Sequence, residues 1–356
     1  MKHPLFAHKP GRIALIFFVV LLLLVACNTS TISMSPGNGG IDTTSIGSGT
    51  QGGVQVFVEP DAGESMITSA IANAKKSVWV EIYLLSDRNV IRALEEAANR
   101  GIDVRVMLEP HPFGGGPSPT RTLDQLQAAG IKAQPTSPSF ALTHEKGMIL
   151  DSQTAFIMTS NFTRAALGGS SGGGGVTNRE YDIIDSNPQD VQAVIAIFNA
   201  DWNHTDAQFN DSNLVVSPVN SRNAFTSLIN SAHSTLLIEA EEMNDSGIEQ
   251  AIASAAQRGV HVQVILPTPS GSSADSNSQG IGVIKQGGVQ VREDSLLYMH
   301  AKIIVVDGQR AFVGSENIST QSLDKNRELG IIVSDSNVLT TLEQTFQRDW
   351  SDSQIV

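Results

Sequence analysis

The sequence predicts an α/β fold built from two pseudo-twofold-related α/β sandwich halves, each a mixed sheet flanked by helices. Three observations carry this expectation. Polar helical segments alternate with short, continuously apolar runs, the pattern of strands buried on both faces beneath helices. Helical segments such as NVIRALEEAANRG close on glycine, which suits a helix C-terminus. The whole arrangement also occurs twice, because TSAIANAKKSVWVEIYLL from Thr68 aligns with TSLINSAHSTLLIEAEEM from Thr226 at an offset of 158.

In chain order, each copy opens on a helix that leads into an apolar strand, VWVEIYL in the first and LLIEA in the second. A second helix follows and ends at Arg100-Gly101 or Arg258-Gly259. The next strand is VRVML or VQVIL. Further on, HEKGMILDSQTAFIMTSN from His144 matches HAKIIVVDGQRAFVGSEN from His300, NREYDII matches NRELGII, and IFNADW matches TFQRDW. The halves are assigned to residues 54–205 and 209–356.

The first 26 residues differ from this body. MKHPLFAHKPGR is basic and free of acids, and IALIFFVVLLLLVA is an apolar run of 14 residues. A spanning helix needs roughly 20, so residues 1–26 read as a secretory leader. Leu24-Val25-Ala26-Cys27 looks like a bacterial lipobox, with Cys27 the lipidated residue. Residues 27–53, rich in Gly, Ser and Thr, then form a flexible tether. The expected location is the outer face of a bacterial membrane, the protein exported, lipid-anchored and monomeric. Cys27 is the only cysteine, so no intrachain disulfide forms.

The formal net charge is −13, and Lys2, Lys9 and Arg12 fall in the leader, so the exported body is more acidic still. Such a body repels polyanions at long range, which disfavours nucleic acid as a partner. Aromatic content of 5% offers no stacking platform for single strands. GGSSGGGG at 168–175 lacks the Lys-Ser/Thr of a phosphate loop, and no metal-ligand spacing appears. No cofactor is expected. The loops HPFGGGPSPT and PTPSGSSADSNSQG follow strand ends, where α/β ligand crevices open. His111, His204, His233 and His261 have no repeated counterpart.

His144-x-Lys146-x4-Asp151 and His300-x-Lys302-x4-Asp307 are the chemical core of the repeat. Residues two apart on a strand share a face, so each His has a Lys as its neighbour. Burying that pair costs several kcal/mol, roughly, unless an anion offsets it. Two converging lysines match a phosphodiester monoanion, and two histidines of ordinary pKa can divide nucleophile and acid roles.

With Gly314, Ser315 and Asn317 following the second motif, the chain resembles the phospholipase D superfamily. The first copy departs from the pattern, with Met158 and Thr159 at the Gly and Ser positions and Asn161 retained. Met158 is expected to crowd that side of the pocket. The resemblance implies a phosphohistidine intermediate; we take His144 as nucleophile and His300 as acid, the pseudo-twofold arrangement leaving the two roles nearly interchangeable from sequence. Lys146 and Lys302 then form a metal-free clamp, and Asn161, Asn317, Ser315 and Thr159 lie at the phosphate. Glu180 and Glu328 hold the histidine tautomers; the competing reading is an ion pair with the adjacent Arg179 and Arg327. Asp151 and Asp307 complete the catalytic motif but read as structural, satisfying turn amides.

Acidity and the anchor favour phospholipid, so the leading expectation is a phospholipase D-type hydrolase releasing phosphatidate, with alcohol transfer as a second activity. The alternatives are an exported metal-independent nuclease, a cardiolipin-synthase-like transferase, ranked lower for want of paired N-terminal membrane helices, and an inactive phosphate-binding module.

Overall fold

Continuous burial is the organising feature of both halves: strands such as KGMIL and KIIVV have no exposed residue, so each must be covered on both faces. The computed structural model describes residues 53–113, 118–169, 176–269 and 275–356, which belong to one compact unit. The leader, Cys27, the tether up to its last residue and parts of the three Gly/Ser-rich loops lie outside the described residues.

The first half runs β1 (Val54–Glu59), α1 (Ser65–Asn73), β2 (Ser77–Ile82), α2 (Arg88–Asn99), β3 (Asp103–Leu108), α3 (Pro119–Ala128), β4 (Lys132–Pro135), β5 (Lys146–Leu150), β6 (Thr154–Met158), β7 (Asn178–Asp185) and α4 (Pro188–Trp202). The second runs β8 (Leu214–Ser217), α5 (Ser221–Asn230), β9 (Thr235–Ala240), β10 (Met243–Asn244), α6 (Ser246–Gln257), β11 (His261–Pro267), α7 (Ser278–Gln286) and β12 (Gln290–Asp294). It continues through β13 (Tyr298–Met299), β14 (Lys302–Val306), β15 (Arg310–Gly314), β16 (Ile318–Ser319), α8 (Thr320–Asp324), β17 (Glu328–Val333), α9 (Ser336–Asp352) and β18 (Gln354–Ile355).

The two mixed sheets have the same strand order. One reads β1-β7-β6-β5-β2-β3-β4, and the other β8-β17-β15-β14-β9-β11-β12 with β18 added at its edge. In each, the first crossover strands pair in parallel and the rest are antiparallel. The strands that begin at the two motif lysines, β5 and β14, therefore lie at equivalent places inside their sheets.

Local sequence explains the elements. Asp87 and Asp245 cap α2 and α6, each accepting two backbone N–H bonds. Gly101 and Gly259 end those helices at φ +85° and +92°, a conformation that costs other residues energy. Alternation then sorts the side chains. Val78, Val80 and Ile82 face the helices α1 and α2, while Trp79 packs toward the other sheet. A central core joins the two sheets with α4 and α9, and two outer cores lie under the remaining helices. Among the described residues no helix is long and apolar enough to cross a membrane.

Candidate active site

Each motif histidine lies just ahead of a fully buried strand, and in both halves the residue before it reaches across to the other half. Thr143 bridges Arg327, while Tyr298 and Met299 pair with Asn178 and Arg179 at the start of β7. The His144 N–H donates to the Arg327 carbonyl at 2.8 Å, and Tyr298 N–H to the Thr177 carbonyl at 2.9 Å. These contacts place each histidine against the partner half's Asn-Arg-Glu segment.

The histidine–carboxylate pairs are consequently crossed. His144 Nδ1 lies 3.0 Å from Glu328 Oε2, and His300 Nδ1 lies 2.8 Å from Glu180 Oε1. Both glutamates are buried, so each carboxylate acts where water does not screen it. Their other lone pairs are satisfied symmetrically: Asn178 and Thr159 donate to Glu180, Asn326 and Ser322 to Glu328. A proton on Nδ1 of each ring, held by its glutamate, leaves Nε2 for chemistry. Burial lowers the His144 pKa below its ordinary value against the opposing field of Glu328, so this imidazole is readily neutral.

Arg179 and Arg327 do not pair with the glutamates beside them. Neighbours on a strand point to opposite faces, and Arg179 instead holds Asp349 at 2.6 Å while Arg327 holds Asp201 at 2.7 Å. Both bonds again tie one half to the other. Glu81, Glu145 and Asp201 cluster behind the site, their oxygens within 4.8 Å of one another, the set closest to metal-ligand spacing among the described residues. Arg327 already supplies a cation there, and burial raises the Glu145 pKa to about 8, favouring its neutral form.

The lysines are unequal. Lys146 Nζ donates to the His144 carbonyl and lies 5.2 Å from the centre of the Tyr83 ring, without a carboxylate in contact among the described residues. Burial pulls its ammonium down to about 7, against the field of Glu328 and with that of Lys302. Lys302 Nζ instead meets Glu241 Oε2 at 2.8 Å, besides donating to the His300 carbonyl. The expectation that substrate phosphate alone offsets both lysines is therefore corrected: Glu241 neutralises the second. Sequence comparison missed it because Glu241 aligns with Tyr83, not with another acid. Tyr83 packs edge-on to His144, with ring centroids 4.7 Å apart.

Asn161 accepts from Leu84 N–H through Oδ1, which leaves its amide nitrogen as the donor end. Asn317 Nδ2 stands 3.5 Å from Glu241. Thr159 and Ser315 are not at a phosphate seat. Both are wholly buried, their hydroxyls accept from the Tyr181 and Leu329 N–H groups, and Thr159 also donates to Glu180. Met158 does not crowd the opening either; it is fully buried in the outer core with Phe156 and Phe162.

Asp151 and Asp307 lie at the far ends of β5 and β14, about 16 Å along the strand from the lysines at ~3.3 Å per residue. Asp151 accepts from the N–H groups of Lys75, Lys76 and Ser77, and Asp307 from those of His233, Ser234 and Thr235. They anchor the turn before β2 and β9 and touch no reacting group.

The chain is similar to several known proteins. The probable cardiolipin synthase YwiE of Bacillus subtilis (strain 168) is 23% identical over 356 residues, covering 86% of this chain and 67% of the relative. Mitochondrial cardiolipin hydrolase of Mus musculus is 39% identical over 97 residues, 27% of this chain and 42% of that protein. The crystal structure of phosphatidylserine synthase from Haemophilus influenzae Rd KW20 shares the fold with a TM-score of 0.63 at 14% identity, covering 85% of this chain and 87% of that one. The family described as "Cardiolipin synthase, PLD-like domain" matches residues 67–202 and again residues 225–350, one match in each half. By those two matches, which take in most of the described residues, the chain belongs to the PLD-like domain family of cardiolipin synthases, within the phospholipase D superfamily.

Proposed function

We propose that the protein is a phosphatidyltransferase of the cardiolipin-synthase kind, which moves a phosphatidyl group from one phospholipid to an alcohol through a phosphohistidine. The observation that carries its phosphodiester chemistry is the crossed site, in which each motif histidine is oriented by the other half's glutamate and the field of Lys302 reaches both His144 and Lys146. His144 Nε2 attacks phosphorus and the bond to the departing alcohol breaks as His300 gives that oxygen a proton. The acceptor hydroxyl then returns a proton to His300 while its oxygen attacks phosphorus, and the P–N bond to His144 breaks. Lys146 and Lys302 balance charge on the non-bridging oxygens throughout. With phosphatidylglycerol as both donor and acceptor, the products are cardiolipin and glycerol.

The family match and the relatives' names favour transfer over the hydrolysis expected from the sequence. Hydrolysis, with water as acceptor, is the second reading, favoured by the similarity to mitochondrial cardiolipin hydrolase. Lipid as substrate is supported by apolar residues around the histidines. Phe113, 76% exposed, donates its N–H to the Tyr83 hydroxyl, and Tyr83 packs on His144. Leu296 and Val176, 70% and 57% exposed, each precede by two residues the Tyr298–Asn178 pairing that leads to His300. The lipid anchor at Cys27 belongs to the same proposal, since it would hold the enzyme at a membrane surface.

The test is product analysis with mixed phosphatidylglycerol and phosphatidylcholine vesicles, and separately with plasmid DNA, both in chelator. Cardiolipin and glycerol, absent with His144→Asn, are expected. Phosphatidate as the sole lipid product would make the enzyme a hydrolase. Nicked plasmid with intact lipid would make it a nuclease, and no product on either substrate would leave a binding module.

A further inference from the structure

We propose that Glu241 is a specificity-determining residue, a built-in anion that occupies the phosphate seat of the second half-site until a phosphodiester displaces it. The inference rests on the reading of this site as one for phosphodiesters. Glu241 follows β9, whose last residue, Ala240, pairs with Lys302. Its Oε2 lies 2.8 Å from Lys302 Nζ, 3.5 Å from His300 Nε2 and 3.5 Å from Asn317 Nδ2. Those three groups are the ones the second motif offers to a phosphate.

The seat is filled but not saturated. The Lys302 contact has the length of a charge-assisted hydrogen bond, whereas the other two are too long for good ones. A planar carboxylate reaching in from one side satisfies one donor, while a tetrahedral phosphate can direct separate oxygens at all three. Glu241 Oε1 is retained by the Tyr298 hydroxyl at 3.1 Å, and its side chain is 20% exposed, so a path to solvent is open. The fields of His300 and Lys302 outweigh burial and keep its carboxyl ionised.

The first half shows the same place without the anion. Tyr83 stands where Glu241 does, bonded through its hydroxyl to Phe113 N–H and packed on His144, and Lys146 faces the ring. One half-site is thus open to anions and the other guarded. The guard penalises small anions, which gain nothing beyond the charge exchange, relative to a phosphodiester whose two organic arms add contacts of their own.

Calorimetric titration with inorganic phosphate at low ionic strength tests this on the full chain. Glu241→Gln removes the charge, and Glu241→Tyr installs the residue that the equivalent position already accommodates. At least tenfold tighter phosphate binding is expected for both variants, with melting temperatures near wild type. A residue that merely propped Lys302 in place would give weaker binding on removal. Unchanged or weaker binding in both variants would overturn the proposal. Lys302→Met distinguishes the role of Glu241 from that of the site as a whole: if it loses phosphate while the Glu241 variants match wild type, only the role of Glu241 falls. If Lys302→Met and Lys146→Met both bind phosphate like wild type, the phosphodiester reading of the site falls with it.

Discussion

Replacing Glu328 by Gln should disable a histidine in the opposite half of the molecule. The carboxylate accepts from His144 Nδ1 at 3.0 Å with one oxygen and from Ser322 Oγ and Asn326 Nδ2 with the other. Losing a charge-assisted bond costs about 1.5–3 kcal/mol, or roughly 10- to 150-fold in kcat/KM at ~1.36 kcal/mol per decade. The geometry makes the damage larger. Ser322 and Asn326 are both donors, so a glutamine turns its carbonyl oxygen toward them and its NH2 toward His144 Nδ1. That forces the proton onto Nε2, the attacking atom in the proposed mechanism, and the same error in a Ser-His-Asp triad costs about 10⁴-fold in kcat. The assay is kcat/KM on phosphatidyl substrates with a glycerol and with a p-nitrophenol leaving group. Glu328→Gln should be damaged on both. Glu180→Gln, which affects His300, should recover most of its activity on p-nitrophenol, which departs without a proton. Activity of Glu328→Gln within threefold of wild type would refute the crossed assignment, and equal recovery by both variants would refute the division of roles.

Three further outcomes follow from the same structure. The free enzyme's kcat/KM should rise with pH through the lowered pKa of His144, below 6.5, and fall as Lys146 loses its proton above about 7; a pH–rate profile flat from 5 to 9, roughly four units, would contradict both. Asp151→Ala should leave kcat unchanged but cost roughly 1–3 kcal/mol of stability by stranding three amides, read as a drop of several degrees in Tm. Glu145 has a folded pKa of about 8, raised chiefly by burial, so the stability tied to its proton is complete below the unfolded value of 4.5 and lost as pH rises to 8. At about 1.4 kcal/mol per unit this is at most about 5 kcal/mol, and Glu145→Gln should flatten the loss in denaturant titrations across that range.

The strands, helices and glycine turns were legible because hydrophobic period and capping are local. Duplication made the motifs legible too, since His144 and His300 recur in matching frames. The crossing of the histidine–glutamate pairs was not, because it depends on contacts between residues 184 and 120 positions apart. The partners of Arg179 and Arg327 could have been narrowed further: adjacent strand residues face opposite ways, which already excluded Glu180 and Glu328. Thr159 and Ser315 misled because a hydroxyl beside a phosphate motif and one bonded to a strand amide look alike in sequence. Glu241 was hidden by asymmetry, since a repeat highlights what the copies share, and here the copies differ.

In the proposed mechanism both halves build one site in which His144 carries the phosphoryl group. Quenching the enzyme during turnover of ³²P-labelled phosphatidylglycerol and mapping the acid-labile label measures it most directly. Label should appear in the peptide containing His144, vanish in His144→Asn and persist in Glu180→Gln, where His300 is impaired. Label on the peptide containing His300, or no covalent label at all during turnover, would refute this role for His144.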